Sequence, residues 1–181
     1  KIAIIGAFAK TPRYQGGGSS HVNPSKLDIP YEEILNIVKN KSNVLYADGY
    51  SIEKDEPDVD LIKKAQEVAS KADVAVIFAG LPERYESEGY DREHIKMPQS
   101  HNKLIEAVAQ VQKNVVVVLS NGAPIEMPWI DKVKGVFEAY LGGQAFGGAI
   151  AELLFGISNP CGKLAETFPL KLSHNPSYLN F

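Results

Sequence analysis

The chain has 181 residues, 44% of them hydrophobic, which suits one globular core and is short for two. A formal charge of -3 and a pI near 5.8 lack the basic field that draws a protein to nucleic acid or to an anionic membrane, so neither is an expected partner. The single cysteine, Cys161, rules out an internal disulfide, and no Cys and His cluster has zinc-ligand spacing, so neither a structural metal nor a cofactor is expected.

The chain opens on KIAIIG, whose Ile2–Gly6 run reads as a buried strand and leaves no room for a signal peptide ahead of it. No apolar run approaches the roughly 20 residues that span a bilayer. A long glycine-bearing loop follows, about residues 7–29, and then a helix over Tyr31–Asn40, introduced by Pro30 and carrying Ile34, Leu35 and Val38 on one face. Asn43–Ala47 is a weaker strand. Asp60–Lys71 gathers Leu61, Ala65, Val68 and Ala69 on one helical face, and Asp73–Gly80 is a second unalternating apolar run. Another long loop, about 81–98, leads to a helix over Gln99–Val111 built on Leu104, Ile105, Val108 and Val111. The strands Asn114–Ser120 and Gly135–Leu141 come next, and a last helix, Ala149–Phe155, is stopped by Gly156 and then Asn159 and Pro160.

Unalternating strands interleaved with amphipathic helices predict an α/β three-layer sandwich: a doubly wound, mostly parallel sheet of about five or six strands with helices on both faces, in one domain spanning residues 1–181. The helix-to-strand connections are short. The strand-to-helix loops far exceed the usual 2 to 6 residues or so, and they leave the carboxyl ends of parallel strands, where open α/β sheets bind ligands. The loops RYQGGGSSH (Arg13–His21), YESEGYDR (Tyr85–Arg92), NGAPIEMPW (Asn121–Trp129) and GGQAFGG (Gly142–Gly148) are therefore expected to share one rim.

Each motif has a plain reading beside the chemical one. GGGSS lacks the spaced glycines and the lysine of a phosphate loop, and the adjacent Ser20 and His21 sit on no nucleophile elbow, so RYQGGGSSH reads as a loop of low bulk suited to close approach. YESEGYDR concentrates acid: neighbouring carboxylates and the walls of Tyr85 and Tyr90 would raise a carboxyl pKa into the range of a general acid, while Arg92 would hold a partner such as Asp91 ionised. Glu83, Glu86, Glu88 and Asp91 all remain candidates on this reasoning. Glu126 and Glu138 are equally candidates for acid chemistry, but their neighbourhoods read as those of loop or strand-end ion pairs; Trp129 reads as a core anchor, and His94, His101 and His174 as surface residues. Cys161, in the turn NPCGKL, has no base partner and is not read as a nucleophile.

Taken in order, KIAIIG, QGGGSSHVNP, DVAVIFAGLPERYESEGYDR, NVVVVLSNGAPIEMPW, EAYLGGQAFGGAIAELLFG, NPCGKLAETFPL and NPSYLNF resemble the second, α/β-sandwich domain of the glycoside hydrolase family 3 β-glucosidases. The resemblance covers essentially the whole chain. It implies a retaining, exo-acting enzyme that removes terminal β-D-glucosyl residues, in which a TIM-like barrel supplies the aspartate nucleophile and this domain lends the general acid/base. Mapped through SEGYDR, that residue is Glu88. The same resemblance puts Tyr85 and Tyr90 on the aglycone side of a β-glucoside substrate, and the QGGGSSH loop, with Gln15, near the barrel mouth. It also implies that the chain is part of a longer enzyme lacking here its barrel, inactive alone and prone to self-association through the face where the barrel docks. The opening on a core strand and the closing aromatics Tyr178 and Phe181 fit that expectation. One cysteine suits a reducing cytoplasm. The alternative is a non-catalytic module whose glycine and acidic loops recognise a carbohydrate or a protein; a flavodoxin-like nucleotide binder lacks its phosphate-binding residues.

Overall fold

The computed structural model describes residues 1–180; Phe181, the second of the terminal aromatics, lies outside them. The Val- and Ile-rich runs become five strands, β1 (Ile2–Ile5), β2 (Val44–Ala47), β3 (Val74–Gly80), β4 (Val115–Ser120) and β5 (Gly135–Glu138), all parallel and ordered β2-β1-β3-β4-β5. β3 and β4 are buried on both faces, which is why their sequences do not alternate. The helices are α1 (Pro30–Ile37), α2 (Val59–Ser70), α3 (Gln99–Val111) and α4 (Phe146–Leu154), with α1 packed beside α4 and α2 beside α3. The expected doubly wound α/β architecture is the one observed, with five strands.

Local chemistry sets the element ends. The Asp58 carboxylate accepts the Asp60 and Leu61 N–H groups at 3.0 Å and so starts α2. α1 stops at Ile37, short of the expected Asn40, and the Asn40 side chain instead accepts the Ser42 N–H at 3.2 Å in the next short turn. β5 ends at Glu138 rather than Leu141: Tyr140 takes a left-handed φ of 49°, which an extended strand does not accommodate. α4 begins at Phe146, three residues before the expected start, so the last two glycines of GGQAFGG are helical. The reason is close packing, since a Cβ on Gly147 would lie 2.3 Å from the Asp28 carbonyl oxygen.

Two expectations fail in the core. His101 is not a surface residue. It is fully buried on the α3 face that carries Leu104, Ile105 and Val108, its Nδ1 accepts the Gly80 N–H at 3.3 Å, and its ring lies 3.8 Å from that of Tyr50. Burial depresses its pKa to about 3, so it packs as a neutral imidazole. Glu126 and Glu138 make no ion pair among the described residues; Glu138 is half-buried and accepts the Tyr140 N–H at 3.1 Å and a long bond from Asn121 Nδ2 at 3.4 Å. Trp129 is the expected anchor: it has no exposed surface, and its indole N–H donates to Asn102 Oδ1 at 2.9 Å. His94, His174 and the thiol of Cys161 are exposed. No helix of the described residues is long and apolar enough to cross a membrane, and no metal-holding group of His, Cys, Asp and Glu occurs among them.

The strand order reverses direction between β1 and β3. From β1 the chain crosses to β2 on one side, and from β3 it crosses to β4 on the other, so the loops leaving their carboxyl ends diverge and open a crevice between them. Those loops are the two long ones, 7–29 and 81–98.

Candidate functional site

The four rim loops are stitched together by hydrogen bonds. Gly143 N–H donates to the Tyr14 carbonyl at 2.8 Å, and Asp28 N–H to that of Gln144 at 2.9 Å, joining the first loop to the last. Arg13, 7% exposed, reaches from the first loop to the acidic loop, its Nη1 donating to the Leu81 carbonyl and to Glu86 Oε2, each at 2.6 Å. Gly122 and Ala123 N–H groups donate to the two Glu86 oxygens at 2.8 Å each, which adds the loop after β4. Arg92 Nη1 stands 3.6 Å from Glu86 Oε1 and 3.4 Å from the Pro124 carbonyl. Arg92 thus turns inward to Glu86 and not to Asp91, because the carboxylate at the root of the loop is the partly buried one that needs a second cation.

Glu86 therefore meets two guanidinium groups and two backbone amides with its two oxygens. A carboxylate so occupied has little capacity left to exchange a proton with a ligand. Its position is structural: it ties three loops into one unit at the root of the acidic arm.

Two residues later the chain emerges into solvent. Gly89, with φ of 93°, turns the tip of the arm, and the exposed Glu88 carboxylate accepts the Ser19 N–H at 3.1 Å and the Ser19 hydroxyl through the same oxygen, Oε2. These bonds hold the Glu88 carboxyl below its ordinary pKa, with burial acting only weakly against them. Glu83 belongs to the rim as well, but its Oε1 lies 3.2 Å from His21 Nε2.

Tyr85 and Tyr90 do come together, on the outer flank of the arm. They line a pocket of about 290 Å³ with Asp55, Arg84, Arg92 and His94. Tyr90 is half exposed, and its hydroxyl donates to the Arg84 carbonyl at 2.6 Å; Arg84 in turn pairs with Asp55 and lies over the Tyr85 ring. Desolvation raises the Tyr85 phenol to a pKa of about 12, so it stays protonated. Gln15 serves its own loop: its Oε1 accepts the Val22 N–H at 2.9 Å, and its Nε2 donates to the Val22 carbonyl at 3.2 Å and the Tyr14 hydroxyl at 3.0 Å.

Two groups at this site, Arg13 and Ser19, have no assigned role in the sequence analysis, and a third, Glu138, stands there only as an acid candidate or an ion pair. Arg13 is the one arginine of the first long loop, beside the lysines Lys10 and Lys26, and faces an acidic loop, a pairing that opposite charge on two rim loops suggests. Glu138, at the end of β5, has a pKa raised to about 7 by desolvation, offset in part by the Tyr140 N–H and Asn121. Beside it the side-chain atoms Asn121 Oδ1, Ser120 Oγ and the Tyr140 hydroxyl are buried and without a protein partner among the described residues.

Three comparisons bear on this site. The sequence profile described as "Glycosyl hydrolase family 3 C-terminal domain" matches residues 1–181. "Thermostable beta-glucosidase B" of Acetivibrio thermocellus is 65% identical over 180 residues, 99% of this chain and 24% of that protein. "Exo-alpha-(1->6)-L-arabinopyranosidase" of Bifidobacterium longum is 44% identical over 182 residues, 100% of this chain and 24% of that one. Among solved structures, a Bifidobacterium adolescentis GH3 β-glucosidase superposes with a TM-score of 0.93 at 43% identity, covering 100% of this chain and 26% of that chain. The chain thus spans about a quarter of the length of the relatives it matches.

Proposed function

Because the chain belongs to glycosyl hydrolase family 3, as its C-terminal domain, we propose that it is the acid/base-bearing domain of a retaining, exo-acting β-glucosidase, with Glu88 as the general acid/base. The carrying observation is the contrast within YESEGYDR. Glu86 is consumed by Arg13, Arg92 and two amides, whereas Glu88 stands exposed at the tip of the arm that Glu86 anchors, over the crevice where an α/β sheet takes its ligand. The remaining three quarters of the enzyme then include a barrel that supplies the nucleophilic carboxylate and most contacts to the terminal sugar. The β-glucoside assignment follows the relative of highest identity quoted above; the arabinopyranosidase, at 44%, indicates that related domains serve other terminal sugars.

In the first half-reaction the Glu88 carboxylic acid gives its proton to the glycosidic oxygen as that oxygen leaves the anomeric carbon and the barrel carboxylate bonds to it. In the second, the Glu88 carboxylate takes a proton from water as the water oxygen attacks the anomeric carbon and releases the barrel carboxylate. The two carboxyls must then stand about 5 to 5.5 Å apart. In this domain alone Ser19 favours the ionised form of Glu88; the nearby nucleophile and the exclusion of water by the sugar work in the opposite direction and restore a proton to it at neutral pH. Tyr85 and Tyr90 flank the aglycone, and Gln15 shapes the loop that meets the barrel mouth. Without the barrel the domain has no nucleophile and is inactive.

The test uses a full-length enzyme carrying this domain, wild type against Glu88→Ala. Steep loss on glucosides with poor leaving groups, with azide restoring turnover as a β-glycosyl azide, is the expected result, since a small anion needs no general base. Activity barely below wild type overturns the assignment.

A further inference from the structure

We propose that Ser19 is the positioning residue of this site, holding one oxygen of the Glu88 carboxyl so that the other, Oε1, is the oxygen that exchanges the proton. The inference rests on the reading of Glu88 as acid/base. Both Ser19 groups, the N–H at 3.1 Å and the hydroxyl, bond Oε2, while Oε1 has no hydrogen-bond partner among the described residues. A carboxyl held by two donors on a single oxygen keeps that oxygen in place and leaves the second oxygen for the reacting atom, the positioning that proton transfer to a bound group requires.

The glycine loop is shaped for this contact. Gly18 has φ of 73°, and a Cβ there would lie 2.9 Å from Glu88 Cβ and 3.0 Å from its carboxyl carbon; one on Gly17 would lie 2.8 Å from Ser87 Oγ. Gly17 and Gly18 therefore carry no side chain where the acidic arm lies against them, and the Ser19 hydroxyl reaches Glu88 beside them. The loop is itself braced. Ser20 Oγ donates to the Gly17 carbonyl at 2.9 Å, His21 N–H to that of Gly18 at 3.2 Å, and the Gln15–Val22 pair closes its neck. The ionisable groups across the same loop, His21 and Glu83, face each other at 3.2 Å, and Arg13, Arg92 and Glu86 are engaged at the root of the arm, so the Ser19 contacts are what depress the Glu88 pKa.

The experiment compares wild-type, Ser19→Ala and Ser19→Thr forms of the full-length enzyme on an aryl glucoside across pH, with Glu88→Ala and azide in parallel. Ser19→Ala removes a hydrogen bond to the ionised carboxyl, so the alkaline limb of kcat/KM, which reports loss of the acid's proton, moves to higher pH. kcat at neutral pH falls by about tenfold. Ser19→Thr, which keeps the hydroxyl and the N–H, returns both toward wild type. Azide rescue of Glu88→Ala with an alkaline limb unmoved in Ser19→Ala overturns the role of Ser19 alone. Absence of β-glycosyl azide from Glu88→Ala overturns the reading beneath it. A Ser19→Thr enzyme no better than Ser19→Ala also overturns the proposal, because the hydroxyl is then not what acts.

Discussion

Glu86 and Glu88 are two residues apart on one loop, and they occupy opposite physical situations. Glu86 is partly buried, with two arginines and two amides around it; Glu88 is in solvent, with one serine. A carboxylate withdrawn from water must be paired and fully hydrogen-bonded, and so becomes structure, whereas an exposed one costs little to leave underused and can change its proton. The arm thus has a rigid root and an available tip, which is what a group contributed across a domain boundary needs: the root fixes where the tip is carried, and the tip remains free to meet a ligand.

The largest expected effect breaks the root. Arg13→Ala leaves the Glu86 carboxylate short of its main partner and lowers unfolding stability by about 3 to 5 kcal/mol, read as a fall in the denaturation midpoint of the domain. Glu88→Ala in the same assay leaves the midpoint where it was. Equal losses from the two substitutions would abolish the distinction between root and tip. Next is the buried imidazole beneath the rim. His101 has a folded-state pKa of about 3 against 6.5 when unfolded, so the unfolded chain binds a proton that the folded chain refuses. Stability is fully present above pH 6.5 and falls toward pH 3, with a slope of up to about 1.4 kcal/mol per pH unit from this group. Urea titrations at pH 7, 6 and 5 check the slope, and His101→Gln flattens it.

A smaller effect sharpens the picture of the tip. Gly18→Ala places a methyl against Glu88 in a left-handed turn and costs about 1 kcal/mol of stability, yet it displaces the carboxyl and so lowers turnover of the full-length enzyme more than that loss suggests. Activity that tracks stability alone would argue against close fitting of the two loops. The last change lies outside the arm, at Glu138, whose pKa is raised from 4.5 to about 7 in the folded chain. The unfolded carboxyl ionises near 4.5, so the folded chain holds a proton that the unfolded chain has lost; stability falls as pH rises from 4.5 to about 7 and is level above that, and Glu138→Gln is more stable than wild type at pH 8 and close to it at pH 5. Thermal midpoints at the two pH values decide it; a gain at pH 5 instead reverses the sign.

Much of this was legible in the residues. The unalternating runs such as VAVIFAG gave the strands, the faces bearing Leu104, Ile105 and Val108 gave the helices, and loop lengths pointed to the rim. His101 was misread from its polarity, although its spacing from Leu104, Ile105 and Val108 put it on the buried face of α3; periodicity was the better guide. The last two glycines of GGQAFGG carry a loop signal and yet are helical, because a sequence does not show the Asp28 backbone that lies against Gly147. The strand end at Tyr140 was equally silent, since a left-handed tyrosine has no local signature.

The alternation of strand and helix, the location of the long loops and the family are readable from residues alone, because they depend on patterns within a few residues or on motifs in fixed order. Which glutamate is structural and which is available was decided only by tertiary structure. Arg13 meets Glu86 across 73 positions, and Ser19 meets Glu88 across 69. Those meetings follow from the reversal of strand order between β1 and β3, which brings two distant loops to one crevice. Burial and charge compensation then assign the roles of two otherwise identical side chains, and neither quantity exists until the sheet has formed.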